Sequence, residues 1–470
     1  LVEVRTSVPP VPDIDPPLAA LRAELKLPAA FPADVLAEAS AATWQAADRV
    51  DATDIEFVTV DPPGSRDLDQ AFQIERQGAG HRVRYAIADV GAFVRPDGAL
   101  DAEAHRRGET VYLPDGRVPL HPPVLSEGTA SLLPGEDRPA VLWQLDLDAD
   151  GELTAVDVRR SVVRSRAQLD YQSLQASKGE VFELLREVGE RRLALERARG
   201  GVSLPVPEQQ VEGDGTAWTL TYRATLPVED WNAQLSLLTG MAAAKLMLDA
   251  GVGLLRTMPP PAADVVATLR RSALALGVSW PSSASYPEVI RGLDGSVPAH
   301  AAVLRLASVL FRGAGYVAFD GSLPAQRTHS AVAAPYAHAT APLRRLADRY
   351  VSECCLAACA GVAVPEWART GLPALPRVMA EADQRAHAAD RGVIDIAETL
   401  VLQHRVGEVF RGVVVEASAG RGEVQLTDPA VRGRLRGDAL QLGAVVDVRL
   451  TTADVVARRV EFTAIAGDQS

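Results

Sequence analysis

The chain has 470 residues, 47% apolar and 23% charged, enough for two or three folded domains with their own cores, which excludes a disordered or fibrous polymer. Its 48 Lys and Arg against 61 Asp and Glu leave a net charge of −13, so no basic field covers the whole surface and any nucleic-acid site must be local. The three cysteines, Cys354, Cys355 and Cys359, fall in one apolar helical stretch and give neither a disulfide framework nor spaced zinc pairs. The longest apolar run, 235–255, is interrupted by Lys245 and Asp249, and no secretory leader opens the chain. The expectation is a soluble cytoplasmic protein with no membrane contact.

In chain order, residues 1–50 are rich in Pro and Ala, with short helices expected at 18–25 and 34–47. Residues 55–60 alternate as a strand does and run into Asp61-Pro62-Pro63-Gly64, with further strands expected at 71–75 and 83–90. Strand-like runs recur to about residue 163; then Val181, Leu184, Leu185, Val188, Leu193 and Leu195 fall at helical spacing over 180–199. Helices are expected at 231–250, 262–276, 300–310, 342–360 and 376–402. Strands gathered first and helices later predict an α+β class rather than regular βαβ alternation. The tail changes again, with short Val-rich strands expected at 409–415, 423–426, 445–450 and 455–462, a pattern that suggests a small closed barrel. From Arg405 onward nine Arg face nine Asp or Glu, so this module is neutral while the rest of the chain carries the acidity. Arg432, Arg434 and Arg436 share one face of an extended segment by period two. A phosphate-tracking strip and an ordinary solvated edge strand fit that spacing equally well.

The segment richest in chemistry is Asp61-Pro-Pro-Gly-Ser-Arg-Asp67-Leu-Asp69-Gln70. A Pro-Pro-Gly turn can fold Asp61 back beside Asp67 and Asp69, which share one side of an extended segment. Three carboxylates so placed repel one another and take up protons unless a divalent cation neutralises them, and hard oxygen ligands suit magnesium or manganese. Two such ions activate a water and stabilise the leaving oxygen at phosphorus. On spacing alone, an ordinary solvated turn fits better. The EF-hand template fails for want of Gly at position six and Glu at position twelve.

Six blocks sharpen the reading: Thr59-Val60-Asp61 with Asp67-Leu68-Asp69-Gln70-Ala71; Ala86 to Val90; Leu100 to Ala104; Arg107 to Pro114; Ser131 to Gly135; and Thr340-Ala341-Pro342-Leu343-Arg344-Arg345. In order and spacing they resemble the catalytic domain of the ribonuclease II/R (RNB) family over about 50–400, and the tail from Gly407 resembles an S1-type RNA-binding domain. The division implied is a helical N-terminal arm at 1–50, an RNB domain at 51–402, in which a mixed sheet and helices surround an RNA channel, and an S1-type OB-fold barrel at 405–466. The resemblance implies a hydrolytic, processive 3′-to-5′ exoribonuclease. It would degrade single-stranded RNA to nucleoside 5′-monophosphates and a short end product, using Mg2+ or Mn2+, two ions during catalysis, as a monomer with no obligate protein partner.

Residue by residue, the resemblance implies metal ligation by Asp61, Asp67 and Asp69, with Asp69 and Arg344 catalytic. Gln70 stands where the family usually has a fourth acid, and its carbonyl oxygen can ligate a hard cation; the alternative function is a catalytically impaired relative that binds RNA and regulates it. Thr340 reads as an N-cap and Pro342 as a first-turn residue, which places Arg344 at a helix N-terminus with Asp348 to orient it. Tyr112 matches a tyrosine that stacks on a terminal base and Tyr171 one near the last ribose. Gln234 stands nearest the acid that reads the 2′-hydroxyl, with Glu229 as substitute, and no stacking phenylalanine occurs near Leu204-Pro205. Arg345, Phe410, Arg432, Arg434 and Arg436 complete the expected RNA contacts. Fifty residues of Pro, Ala and helix do not hold the two cold-shock-type barrels that usually precede the catalytic domain, which implies a more open RNA entrance.

Overall fold

The first strand-rich region folds as a closed barrel rather than an open sheet. The computed structural model describes residues 14–202, 208–213, 218–223, 225–295, 297–426 and 428–465. Two short helices come first, α1 (Asp15–Glu24) and α2 (Ala33–Ala41), followed by β1 (Val50–Val60), β2 (Gln70–Gln77) and β3 (Gly80–Ala88). Helix α3 (Ala99–Arg107) and the small hairpin of β4 (Val111–Leu113) and β5 (Gly116–Val118) interrupt the sheet before β6 (Asp137–Leu147) and β7 (Leu153–Leu169). The order β1-β2-β3-β6-β7 closes, with β1 parallel to β7 and the other pairs antiparallel. Both strand faces are buried: Val83, Tyr85 and Ile87 join a core shared with the later helices, while Ala86 and Ala88 join one shared with α2 and α3.

The helical layer begins with α4 (Tyr171–Ala176) and α5 (Glu180–Ala198); a β8 (Glu208–Gly213) and β9 (Trp218–Arg223) hairpin follows. The central helix α6 (Pro227–Ala250) starts with Pro at its first position and the Glu229 carboxylate accepting from the Leu226 N–H at 2.7 Å. It stops at Gly251, whose left-handed conformation turns the chain into β10 (Val252–Thr257). Helices α7 (Ala263–Ala275), α8 (Tyr286–Arg291) and α9 (Pro298–Ala307) form a satellite core around Trp280 and Leu304. β11 (Gly315–Asp320) pairs with β10, and β12 (Thr328–His329) with β13 (Ala334–Pro335). Helix α10 (Leu346–Ala360), with its cysteines in the core, is followed by α11 (Glu366–Gly371) and the long α12 (Leu375–Leu402).

The tail forms a second closed barrel, with β14 (Val409–Ser418), β15 (Arg421–Leu426), β16 (Arg432–Arg436), β17 (Val445–Asp454) and β18 (Arg459–Ala464) in the order β14-β15-β16-β18-β17. Its core is continuous with Val393, Ile396 and Leu400 of α12 and with Leu18 and Leu21 of α1. A Cβ at Gly392 would meet Leu21 Cδ1 at 2.6 Å, so a larger residue there would require the Leu21 side chain of α1 to move aside. Arg458 of the second barrel pairs with Glu24, so the N-terminal arm is docked across both modules. Among the described residues no helix is long and apolar enough to cross a membrane.

Several sequence expectations change: the helix expected at 34–47 ends at Ala41, and the strand expected at 455–462 begins at Arg459. α10 begins at Leu346, not at 342, because residues 341–345 form a turn closed by the Arg345 N–H on the Ala341 carbonyl at 2.8 Å. The position near Leu204-Pro205 where a stacking ring is expected lies outside the described residues.

Candidate active site

The site is assembled at the end of the first barrel. Asp61 follows β1 directly, and its N–H bonds to the Leu169 carbonyl at 3.1 Å, which brings the end of β7, and Tyr171 just beyond it, alongside. The turn at Pro62-Pro63 is completed by Gly64 at φ +82°, a conformation glycine adopts without strain. The stretch returning to β2 is held by Ser131. Its hydroxyl donates to the Arg66 carbonyl at 2.6 Å and accepts from the Leu68 N–H at 2.9 Å, while the Leu132 N–H bonds to the Leu68 carbonyl at 3.0 Å. The Ser131-Leu132 block therefore fixes the backbone from which Asp67 and Asp69 project.

Asp69 is buried, with Oδ1 accepting from the Leu343 N–H at 2.7 Å and Oδ2 lying 3.7 Å from Arg344 Nε. Burial pushes the Asp69 carboxyl up to about 8 against the opposing pull of Arg344, and pushes Asp61 up to about 7, with the Asp67 charge adding to the shift. The Arg344 side chain is 42% exposed, so the guanidinium borders the carboxylates and still faces open space. Its backbone is held by the strand that leads to β4, through Thr110 N–H on the Arg344 carbonyl at 2.9 Å and Leu346 N–H on the Gly108 carbonyl at 3.0 Å.

Asp67 is differently placed. Arg117 Nη1 reaches Asp67 Oδ1 at 2.5 Å, the Tyr112 hydroxyl donates to Oδ2 at 3.1 Å, and Arg117 Nη2 also pairs with Glu127 at 2.7 Å. Tyr112 and Arg117 are direct cross-strand partners in the β4–β5 hairpin. Tyr112 is 46% exposed, so its ring offers a face at the mouth of the site. Tyr171, half-buried, accepts from Asn232 Nδ2 at 3.2 Å through its hydroxyl. Sequence reasoning missed Arg117, although the Pro114-Asp115-Gly116 turn between Tyr112 and Arg117 signals a hairpin that sets the two side by side.

Several expected residues are placed elsewhere. Gln70 is tied up at both amide ends, donating to the Thr340 carbonyl at 2.7 Å and accepting from the Tyr85 hydroxyl at 2.5 Å, so as placed it offers no free ligand oxygen. Gln234 is buried and donates to Glu196 at 2.6 Å. Arg345, half-buried, forms a bidentate pair with the buried Asp348 at 3.0 and 2.9 Å; Asp348 therefore orients Arg345, not Arg344. Phe410 packs edge-on to Phe462 inside the second barrel, where no base can stack on it. Arg434 and Arg436 are exposed on β16, Arg436 lying 3.7 Å from Glu461, whereas Arg432 is half-buried.

The donor set suits a hard divalent cation: oxygen ligands only, with Asp69 buried and Asp61 half-buried, both carboxyls pushed above their ordinary range and within the electrostatic reach of Asp67. It is not a preassembled cage, since among the described residues no three His, Cys, Asp or Glu side chains gather closely enough to hold a metal. Arg117 holds the third carboxylate to one side.

Comparison with known proteins decides the family. The RNB domain matches residues 49–359. The chain belongs to the RNB family. The C-terminal S1 domain of RNase II-type exonucleases matches residues 408–465 of this RNB chain. Ribonuclease R of Escherichia coli (strain K12) is 26% identical over 480 residues, covering 90% of this RNB chain and 58% of that protein. The chain thus spans about three-fifths of that relative's length. Among solved structures, Mycoplasma genitalium RNase R in complex with ribose-methylated single-stranded RNA superposes with a TM-score of 0.86 at 18% identity, covering 97% of this chain and 79% of that one. Yeast Ssd1, a pseudonuclease, superposes with a TM-score of 0.71 at 16% identity over 93% of this chain and 57% of its own. At these identities the superpositions show the fold.

Proposed function

We propose that this RNB chain is a divalent-cation-dependent hydrolase that processively removes nucleoside 5′-monophosphates from the 3′ end of single-stranded RNA. The observation that carries the reading is the Asp69–Arg344 juxtaposition: a buried, charge-strained carboxylate 3.7 Å from a half-exposed guanidinium. That pairing puts a place for cations beside a place for phosphoryl oxygens. The RNA-bound state of the Mycoplasma genitalium enzyme of the same fold supports RNA as the ligand.

Asp61, Asp67 and Asp69 would hold Mg2+ or Mn2+, which supplies Lewis-acid activation of water and stabilisation of the leaving oxygen. The chain's own residues do the rest. The Arg344 guanidinium stabilises the charge that grows on the non-bridging oxygens of the scissile phosphate, and the turn held by Asp69 and Thr110 fixes its direction. Tyr112, exposed beside Asp67, stacks on the terminal base, and Tyr171, alongside Asp61, packs at the last ribose; stacking on tyrosine tolerates every base. On the second barrel, Arg434 and Arg436 track upstream phosphates.

A second reading has its own observations. Gln70 is fully engaged and Asp67 is claimed by Arg117, and the same fold occurs in a pseudonuclease; on that reading the chain holds RNA without cutting it. One experiment separates the two: 5′-labelled single-stranded RNA and DNA incubated with magnesium, manganese or EDTA. Cation-dependent shortening of RNA from its 3′ end supports hydrolysis, and RNA that is retained but uncut supports the second reading.

A further inference from the structure

Gln70 differs from the acid usual in the family and sits where the buried polar contacts converge. Its neighbours are all accounted for. The Tyr85 hydroxyl donates to Gln70 Oε1 at 2.5 Å and meets Ser236 Oγ of α6 at 2.9 Å; Ser236 Oγ lies 3.4 Å from the same Gln70 oxygen. Gln70 Nε2 reaches across the site to the Thr340 carbonyl at 2.7 Å. A carbonyl can only accept, so the amide's nitrogen must face Thr340 and its oxygen must face the hydroxyls. Both ends of the side chain are thereby specified.

Three residues past Thr340, the Leu343 N–H reaches Asp69, the residue before Gln70. The turn that bears Arg344 is therefore clamped to the start of β2 at two successive residues, once by the Asp69 carboxylate and once by the Gln70 amide. A third hold comes from the far side, where Asp348 accepts from the Ala341 N–H at 2.7 Å. A carboxylate at position 70 would set acceptor against acceptor at Thr340 and break the second clamp.

We propose that Gln70 is a positioning residue: with Tyr85 and Ser236 behind it, its amide locks the Thr340–Arg345 turn against Asp69 and so aims the Arg344 guanidinium. It acts through that turn and is not a cation ligand, and the cations are left to the three aspartates. The catalytic consequence rests on the nuclease reading; the clamp itself does not.

The test is amide hydrogen exchange of residues 340–346 in the full-length protein in EDTA, for wild type, Gln70→Ala, Gln70→Glu and Tyr85→Phe. The expected result is exchange faster by about tenfold at the Leu343 and Arg345 amides in Gln70→Ala and Gln70→Glu, with a smaller rise in Tyr85→Phe and the barrel strands unchanged. Mn2+ titration followed by electron paramagnetic resonance should give the same affinity for Gln70→Ala as for wild type. On a short single-stranded RNA, Gln70→Ala should lower kcat by about 10- to 100-fold with KM nearly unchanged. Unchanged exchange at 340–346 overturns the clamp whatever the activity. Weakened Mn2+ binding in Gln70→Ala, or tighter binding and faster hydrolysis in Gln70→Glu, overturns it in favour of a ligand role. A wild type that cuts no RNA would sink the nuclease reading and leave exchange to decide the clamp. If Gln70→Ala fails to fold, the isosteric Gln70→Glu and Tyr85→Phe carry the same comparison.

Discussion

The two closed barrels of this chain use charge in opposite ways. In the first, Asp61 and Asp69 stand at strand ends where β1 and β2 meet the helical layer, with Asp69 buried and both carboxyls pushed far above their ordinary range. In the second, Arg434 stands in mid-strand opposite Glu423 and beside Glu461, and Arg436 ends the strand opposite Arg421 and 3.7 Å from Glu461, both open to water. A buried charge without full compensation is costly and reactive, while an exposed and partly paired one is screened and interchangeable. On the proposed reading, the chemistry belongs to the barrel whose carboxyls are held above their ordinary range, and the exposed arginines of the other only add to RNA binding.

The comparison is broken most severely by removing the strained charge. Asp69→Asn should lower RNA hydrolysis by about 10^4-fold in single-turnover assays while leaving RNA affinity, measured by filter binding, nearly intact. Arg344→Ala should cost about 10^2- to 10^3-fold in kcat, since it removes one stabiliser of transition-state charge. Tyr112→Ala should weaken binding of a short RNA by about 1–3 kcal/mol, read by fluorescence anisotropy, equally for all 3′-terminal bases. The double variant Arg434→Ala/Arg436→Ala should have the smallest effect: unchanged single-turnover hydrolysis of a very short RNA, weaker binding of a long one, and a salt dependence shallower by about one unit per lost phosphate contact.

The strained charges also set a pH signature. On unfolding, Asp61 and Asp69 return to the ordinary carboxylate value of 3.8 from about 7 and about 8. Between about pH 4 and pH 8 the cation-free native chain therefore binds more protons than the unfolded chain, and its stability falls as pH rises. Asp69→Asn removes one of these titrations. In EDTA its Tm should rise relative to wild type between about pH 5 and pH 8.5, and added Mg2+ should narrow the gap by stabilising wild type.

Local patterning made much of this legible. Period two over 55–60 and 83–90 marked the first barrel's strands, and the glycine-punctuated Val-rich tail marked the second. The Pro-Pro-Gly turn marked the reversal between Asp61 and Asp67, but not that Arg117 would claim Asp67 and that, among the described residues, the three aspartates would not close into a metal cage. Closure of the first sheet was not legible, because the parallel pairing of β1 with β7 joins residues more than a hundred positions apart. For the same reason the site's partners were misjudged. Arg345 and Gln234 look like free ligands in a linear motif, yet Asp348 and Glu196 engage them. Phe410 looks like a stacking ring, yet its inward register on β14 sends it into the core. Gln70 looks like a weakened ligand until the Thr340 carbonyl, 270 positions away, appears opposite its amide nitrogen.

The central claim is that Asp61 and Asp69 hold divalent cations against the 3′-terminal phosphodiester, with Arg344 facing its oxygens. A crystal grown with Mn2+ and an RNA whose terminal linkage resists hydrolysis, read by anomalous scattering, tests it directly. The expected result is manganese bound to the Asp61 and Asp69 carboxylates, with the last phosphate between metal and guanidinium. Manganese bound elsewhere, or an RNA 3′ end that does not reach Arg344, would contradict it.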